Sequence, residues 1–490
     1  MLNIQKKMSN SFYALLSMPS TAMGFALSVQ ISVLSWILST KYGLDIHEIG
    51  IVWAAGPVAG IIAQPIVGLI SDKMWFLGGR RRPWIVLGGI LSAFMMLALP
   101  NLEIVQQIFV GGDDPMAGLL AIAVIVALTF DISINVSLNP TRSIVADCTT
   151  MENRAKGYTW MQTVSGSFGV LAYLIGGIFG NMALLYVGIF ITLFGTLIPP
   201  FFIEEPRHLE AAEEGETGVK SKTTFKDIAI SLIPLSGLLI YGIYVICIKL
   251  TGVTLPNMVE FGIVHLNIVE IICILLVVVS AFIVVFNLTK SDENGHEFQK
   301  ILYAHSFSWI GVQTMFIYAL FYINNNLSDL TIFGFDGLDS GQVNSYAFFI
   351  LSLVSTILPV FVLNRASKRY GMVAVHTVCI FLMALGYGLI YIIPNTVLTY
   401  FLLIGVCGIG WSSIISLVFA IMSERVDQSK MGLYMGIFNL SVVLPQLVAS
   451  FKMGEIINAS PDDNKAIIFS ICAICLALSG IFWLAVKNHK

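Results

Sequence analysis

Charge is what this sequence has least of. Of its 490 residues, 26 are Lys or Arg and 29 are Asp or Glu, so only 11% are charged and the net charge is -3. That balance leaves no basic footprint for nucleic acid. Histidine and cysteine number seven each. Cys472 and Cys475 form a CxxC, but neither a second cysteine pair nor a nearby histidine accompanies it, so it reads as packing within a helix. His305 and His376 likewise have no spaced acid or second histidine to suggest a metal. Neither a metal nor a cofactor is expected. A GxxxxGK[ST] phosphate loop is also missing, which argues against ATP-driven pumping. The longest charged stretch, 204–227, holds no catalytic constellation. A multi-span enzyme such as a lipid-linked glycosyltransferase would need one in a sizeable aqueous loop. The chain is not expected to be an enzyme.

What is abundant is apolar. Hydrophobic residues make up 57% of the chain, and the mean hydropathy is +0.86. They fall in blocks of about 20, the length that crosses a hydrocarbon core of ~30 Å. Fourteen spans are expected, near 12–38, 49–70, 84–100, 117–139, 156–180, 182–203, 228–250, 262–288, 302–325, 343–363, 372–393, 397–421, 432–454 and 466–486. One set of alternate loops carries Lys6, Lys7, Lys73, Arg80 to Arg82, Arg154, Lys156, Arg207, Lys220, Lys222 and Lys226. It continues with Lys290, Lys300, Arg365, Lys368, Arg369, Arg425, Lys430, Lys487 and Lys490. The other side has Lys41, Lys249, Lys452, Lys465 and little else. The positive-inside rule then places both termini in the cytoplasm. The first apolar segment is a full span with no small-residue cleavage site, so it reads as a retained helix. The stretch 204–227 is too polar to pack a core and reads as a cytoplasmic linker.

One span departs from the apolar rule. Asp131, Asn135, Asn139 and Arg142 recur at intervals of 4, 4 and 3 residues, which puts them on one helical stripe. A carboxylate at membrane depth costs at least about 2.5 kcal/mol, so it should face a bundle interior or a water-filled path. Packing between helices is the plainer reading of such a stripe; a transport path with Asp131 as its titrating group is the favoured one. No other Asp or Glu is clearly mid-span outside 228–288. His265 and Glu270, near the outer end of 262–288, read as solvated or packing groups.

Two loops look like distant copies: Gly68, Asp72 and Lys73 with Gly79 to Pro83, and Asn364, Arg365, Lys368, Arg369 and Gly371. The first resembles the signature between helices 2 and 3 of the major facilitator superfamily, stretched by residues 74–78. Further motifs are similar to the sucrose/maltose–proton symporter group, which includes plant sucrose carriers and their bacterial and animal relatives. They are Asp131-x-x-x-Asn135 before Pro140-x-Arg142 and Asp147, Gly432 to Asn439 with Pro445-Gln446, and His305 to Trp309. The resemblance covers roughly spans one to six and nine to fourteen. One departure is that 156–180 has no interior arginine where plant carriers have one.

The resemblance implies an all-α membrane protein of the major facilitator fold, two six-helix bundles plus an inserted central helix pair. The expected parts are an N-terminal bundle at 1–203, a linker at 204–227, the inserted pair at 228–300 and a C-terminal bundle at 301–490. It implies import of a neutral sugar, a disaccharide such as maltose or sucrose, by proton symport through alternating access. Asp131 is the expected coupling acid. Asp72 would meet Arg142 and the helix starting near Gly432 in the outward-facing state, with Asp147 and Glu424 as further gating residues. A neutral sugar calls for amides and aromatic faces. Candidate amides are Gln30, Gln64, Asn135, Gln162, Gln313, Asn344, Asn439 and Gln446; Trp36, Trp53, Trp309 and Trp411 offer flat rings. Missing mid-span Arg and Lys argue against anionic substrates. The alternatives are an uncoupled or sodium-coupled facilitator, and a transporter-like sugar sensor. Sugar, proton and lipid bilayer are the expected partners, the chain a monomer, and a bacterial inner membrane its setting.

Overall fold

The computed structural model describes residues 3–488 apart from 72–73, 112–117, 207–224, 254, 328–329, 332–336, 394–395, 427–430 and 462–464. Most of the linker and Asp72 therefore lie outside the described residues, as does the side chain of Gln64.

Apolar blocks of this length become helices because a bilayer core offers no partner for free backbone N–H and C=O groups. Twelve helices among the described residues are long and apolar enough to span. They are α1 (Asn10–Thr40), α3 (Arg82–Phe109), α4 (Leu119–Asp147), α5 (Lys156–Phe179), α6 (Asn181–Phe202) and α7 (Ile228–Lys249). The others are α8 (Ile268–Val285), α9 (Glu293–Asn326), α10 (Ser340–Tyr370), α11 (Met372–Ile392), α12 (Val397–Ser423) and α13 (Leu433–Asn458). Two shorter apolar helices occupy the remaining expected places: α2, formed by Ile46–Trp53 and Ala55–Ser71, and α14 (Ile467–Trp483).

Several boundaries differ from the sequence reading: α3 runs on to Phe109, past the expected 100, α9 begins at Glu293 ahead of the expected 302, and α10 continues to Tyr370 past 363. The span expected from residue 262 begins at Ile268, because Asn257–Phe261 (β1) and Val264–Asn267 (β2) pair as an antiparallel hairpin ahead of it. Asn267 then caps α8: its side chain accepts from the N–H groups of Val269 and Glu270, and the Glu270 carboxylate accepts from the Asn267 N–H. This reciprocal pairing satisfies donors that a helix start otherwise strands.

By their contacts the residues divide into two compact units. The first is Met1–Gly218 with Leu338–Phe349; the second is Val219–Gly337 with Ile350–Lys490. In the first, α1 packs against α5 and α6, α3 against α4 and α6, and α2 against α4. Small residues permit these approaches. A Cβ on Gly88 would lie 2.5 Å from the Ser133 carbonyl oxygen, so glycine is required where α3 meets α4. Gly180, at φ 86, makes the one-residue turn from α5 to α6. In the second unit, α9 packs on α13 and α14, α11 on α12 and α14, and α7 on α8 and α13. Its core gathers Phe298, Ile301, Leu302, Ile421, Met422, Phe438 and Trp483.

Candidate functional site

In the first unit the polar stripe of α4 converges with α1 and α2. Asp131 and Gln30 are both buried, and the Gln30 amide donates to the Asp131 carboxylate at 3.0 Å. The opposite wall is Gly56 of α2, where a Cβ would stand 3.4 Å from both carboxylate oxygens. No ion pair to Asp131 is found among the described residues. Asn135 lies one turn along α4, but its amide donates to the Asp131 backbone carbonyl at 2.8 Å and not to the carboxylate. Trp36 is half-buried against Gly341. Trp53 donates to Ser35 at 2.8 Å, and Gln162 is exposed. Asn344 is buried with its side-chain oxygen unpartnered among the described residues.

At the end of α4, Asp147 meets Arg81 at 2.9 Å, both side chains about nine-tenths buried. Glu205, just after α6, accepts from the backbone N–H groups of Arg80, Arg81 and Arg82 at 2.7, 2.8 and 2.9 Å. A carboxylate there caps the start of α3 and complements its dipole. Arg81 and Glu205 are contacts around Asp147 and the start of α3 that sequence reasoning missed; the Glu204-Glu205 pair after an apolar span was the available signal. Arg142 is exposed and accepts at its carbonyl from the Tyr158 hydroxyl at 3.3 Å. Its expected contact with Asp72 lies outside the described residues.

In the second unit, α9 presents His305, Trp309 and Gln313 at four-residue spacing, hence on one face. Trp309 donates its indole N–H to His305 Nε2 at 2.9 Å, and Gln446 of α13 donates to Gln313 at 3.1 Å. Trp411 of α12 stands edge-on to Trp309 and Phe316, with ring centroids 5.9 and 5.3 Å apart. His305 stacks on Phe438, so it is an organised member of this cluster. Three of the expected residues, Gln313, Trp411 and Gln446, thus share one aromatic and amide patch. Asn439 is half-buried on α13, beside Phe438 in sequence. Glu424 is exposed at the end of α12; its neighbour Arg425 is the buried one, donating to the Lys487 carbonyl at 2.7 Å. Amides, hydroxyls and ring faces in such patches suit a neutral, hydroxyl-rich ligand.

The Major Facilitator Superfamily model matches residues 20–450. The chain belongs to this family. It is similar to a general alpha-glucoside permease of Schizosaccharomyces pombe, 27% identical over 173 residues, and to the sucrose transport protein SUC4 of Arabidopsis thaliana, 28% identical over 169 residues. Each match covers 33% of this chain, and 31% and 32% of the relative, so the chain matches about a third of each relative's length. Among solved structures, the nucleoside transporter NupG superposes with a TM-score of 0.65 at 12% identity, covering 97% of this chain and 100% of that one. A peptide transporter POT in complex with alafosfalin gives 0.63 at 14%, covering 96% and 93%. These identities speak to the fold alone: a multi-span helical transporter fold.

Proposed function

We propose that the protein is a secondary active transporter that imports a neutral sugar, an α-linked disaccharide such as maltose or sucrose, together with a proton by alternating access. The observation that carries the proton step is Asp131, a buried carboxyl with one neutral donor and no paired cation among the described residues. Holding a bare charge there costs several kcal/mol, and taking up a proton removes that cost. The sugar class rests on the alpha-glucoside and sucrose carriers to which a third of the chain is similar, and on the amide and aromatic groups of both units. Asn135, Gln64, Trp36, Gln313, Trp411, Asn439 and Gln446 are the proposed contacts. Asp72, Arg142, Asp147 and Glu424 are the proposed gating groups.

The proposed parts are bundles at 1–203 and 301–490, a linker at 204–227 and an inserted pair at 228–300. The loop charges support cytoplasmic termini. The proposed setting is a bacterial inner membrane and the proposed working form a monomer. The test is uptake of radiolabelled maltose, sucrose and glucose into proteoliposomes, with and without an inward proton gradient. Wild type is expected to accumulate a disaccharide under the gradient. Asp131→Asn is expected to lose accumulation and keep exchange between equal sugar pools. Gradient-independent uptake in both proteins would mean a facilitator, and no sugar flux at all would mean a sensor.

A further inference from the structure

The inserted pair α7–α8 and its hairpin have no part in the proposed sugar or proton steps, yet they hold a buried charged cluster of the second unit. Its centre is Lys452, placed by the sequence reading among the outer-loop cations. It is buried instead, 3.1 Å from the Glu270 carboxylate of α8 and 3.0 Å from Glu455. Its ammonium also donates to the His265 carbonyl of β2. Glu270, read from sequence as a solvated or packing group, is buried and doubly fixed. One oxygen caps its own helix at the Asn267 N–H, and the other meets Lys452.

The element these groups seize is irregular. The α-helical body of α13 ends at Val448; Ala449–Met453 form a wider π turn, and Gly454–Asn458 complete the helix. Such a turn is uncommon, marks places where a helix can change register, and needs partners for the carbonyls it displaces. Tyr318 of α9 supplies one partner, donating to the Ser450 carbonyl at 3.0 Å. The inserted pair supplies the rest of the grip. The Lys249 ammonium of α7 lies 5.7 Å from the centre of the Phe451 ring, and Gly242 packs on Leu444 and Leu447.

We propose that the inserted pair is an intramolecular clamp on the π turn of α13, and that Glu270 and Lys452 are positioning residues that set transport rate by holding the last turns of that helix in register. A buried ammonium with two carboxylates is costly to assemble for packing alone, since apolar residues would serve as well. Its three arms come from β2, α8 and α13 itself, so it fixes the end of α13 to the inserted pair and to nothing distant in the fold. The effect on rate rests on the transporter reading; the clamp does not.

The test uses the full-length protein in proteoliposomes, comparing wild type with Glu270→Gln, Lys452→Met and Lys452→Arg. Gln can still cap α8 but cannot hold the ion pair; Arg keeps the charge. Two quantities are read: amide hydrogen exchange over 444–458, and the KM and maximal rate of sugar uptake. Losing one buried charge-assisted contact is expected to speed exchange over 449–458 by about tenfold or more in Glu270→Gln and Lys452→Met. Maximal rate should fall by a similar factor with KM little changed, and Lys452→Arg should restore both. Unchanged exchange in Glu270→Gln overturns the clamp, even where Lys452→Met gives no folded protein. Faster exchange with an unchanged maximal rate overturns the positioning role. If wild type moves no sugar, the transporter reading fails, and exchange alone decides the clamp.

Discussion

The side-chain amide of Gln30 reaches the carboxylate of Asp131 at 3.0 Å, joining α1 to α4 across 101 positions of sequence. It is the one hydrogen-bond donor to that carboxylate among the described residues, and both side chains are buried. Sequence spacing places Asp131 on a helical stripe, but it does not name the group that faces it.

Gln30→Leu removes that donor and leaves a buried carboxyl with no hydrogen-bond donor among the described residues. An unmade buried hydrogen bond to a group that can be charged costs about 1.5–3 kcal/mol, tenfold or more in a rate. Gradient-driven sugar uptake is therefore expected to fall by about tenfold or more. Adding Asp131→Asn should lower it little beyond the Asp131→Asn single variant, because both changes act on one step. Full additivity of the two losses would show that Gln30 serves some other step.

The Arg81–Asp147 pair makes a different prediction, on stability. Both groups are largely withdrawn from solvent, so Arg81→Met leaves the Asp147 carboxylate without its cation, at a cost of about 3–5 kcal/mol, and Asp147→Leu removes the same ion pair. Arg81→Met and Asp147→Leu should each lower the thermal unfolding midpoint in detergent markedly. The double variant should recover much of the loss of Arg81→Met, since the carboxylate which that variant strands is then gone. If it is as unstable as the sum of the singles, the pair is not what holds α3 to the end of α4.

Fourteen helices were legible because about 20 apolar residues in a row leave the backbone no other way to satisfy itself in a bilayer. The coupling candidate was legible for the same reason: Asp131 is conspicuous where charge is expensive. The hairpin before α8 was not, because Phe261, Ile263, Val264 and Leu266 lead into the apolar run that Ile268 begins, broken only by Gly262, His265 and Asn267. Lys452 misled for a related reason. A lysine after an apolar block reads as the edge of a span, and nothing local reveals that Glu270, 182 positions earlier, closes against it. Partners such as Gln30 for Asp131 and Gln446 for Gln313 are set by helix packing, so their spacing in sequence carries no pattern to read.

Trp411 and the Gln313–Gln446 pair test the proposed sugar patch against ordinary core. Trp411 is half-buried, standing edge-on to Trp309 and Phe316 beside two amides, whereas Trp483 is fully buried against His376. A sugar ring that shields about 50 Å² of an indole face from water gains about 1.2 kcal/mol, up to roughly tenfold in affinity. Trp411→Ala is accordingly expected to raise the KM for sugar by up to about tenfold with maximal rate largely kept. Trp483→Ala should instead reduce the amount of folded protein and leave the KM of the remainder unchanged. Gln446→Ala strands the Gln313 side-chain oxygen, and if that oxygen accepts from a sugar hydroxyl, deoxy analogues should distinguish it. The variant and wild type should then differ in their preference between maltose and the analogue lacking that hydroxyl, by about the five- to hundredfold that one unmade buried hydrogen bond of a neutral group costs (about 1–3 kcal/mol). Equal preference across the deoxy series, with KM shifted alike for Trp411 and Trp483 variants, would assign this patch to packing and move the sugar contacts elsewhere.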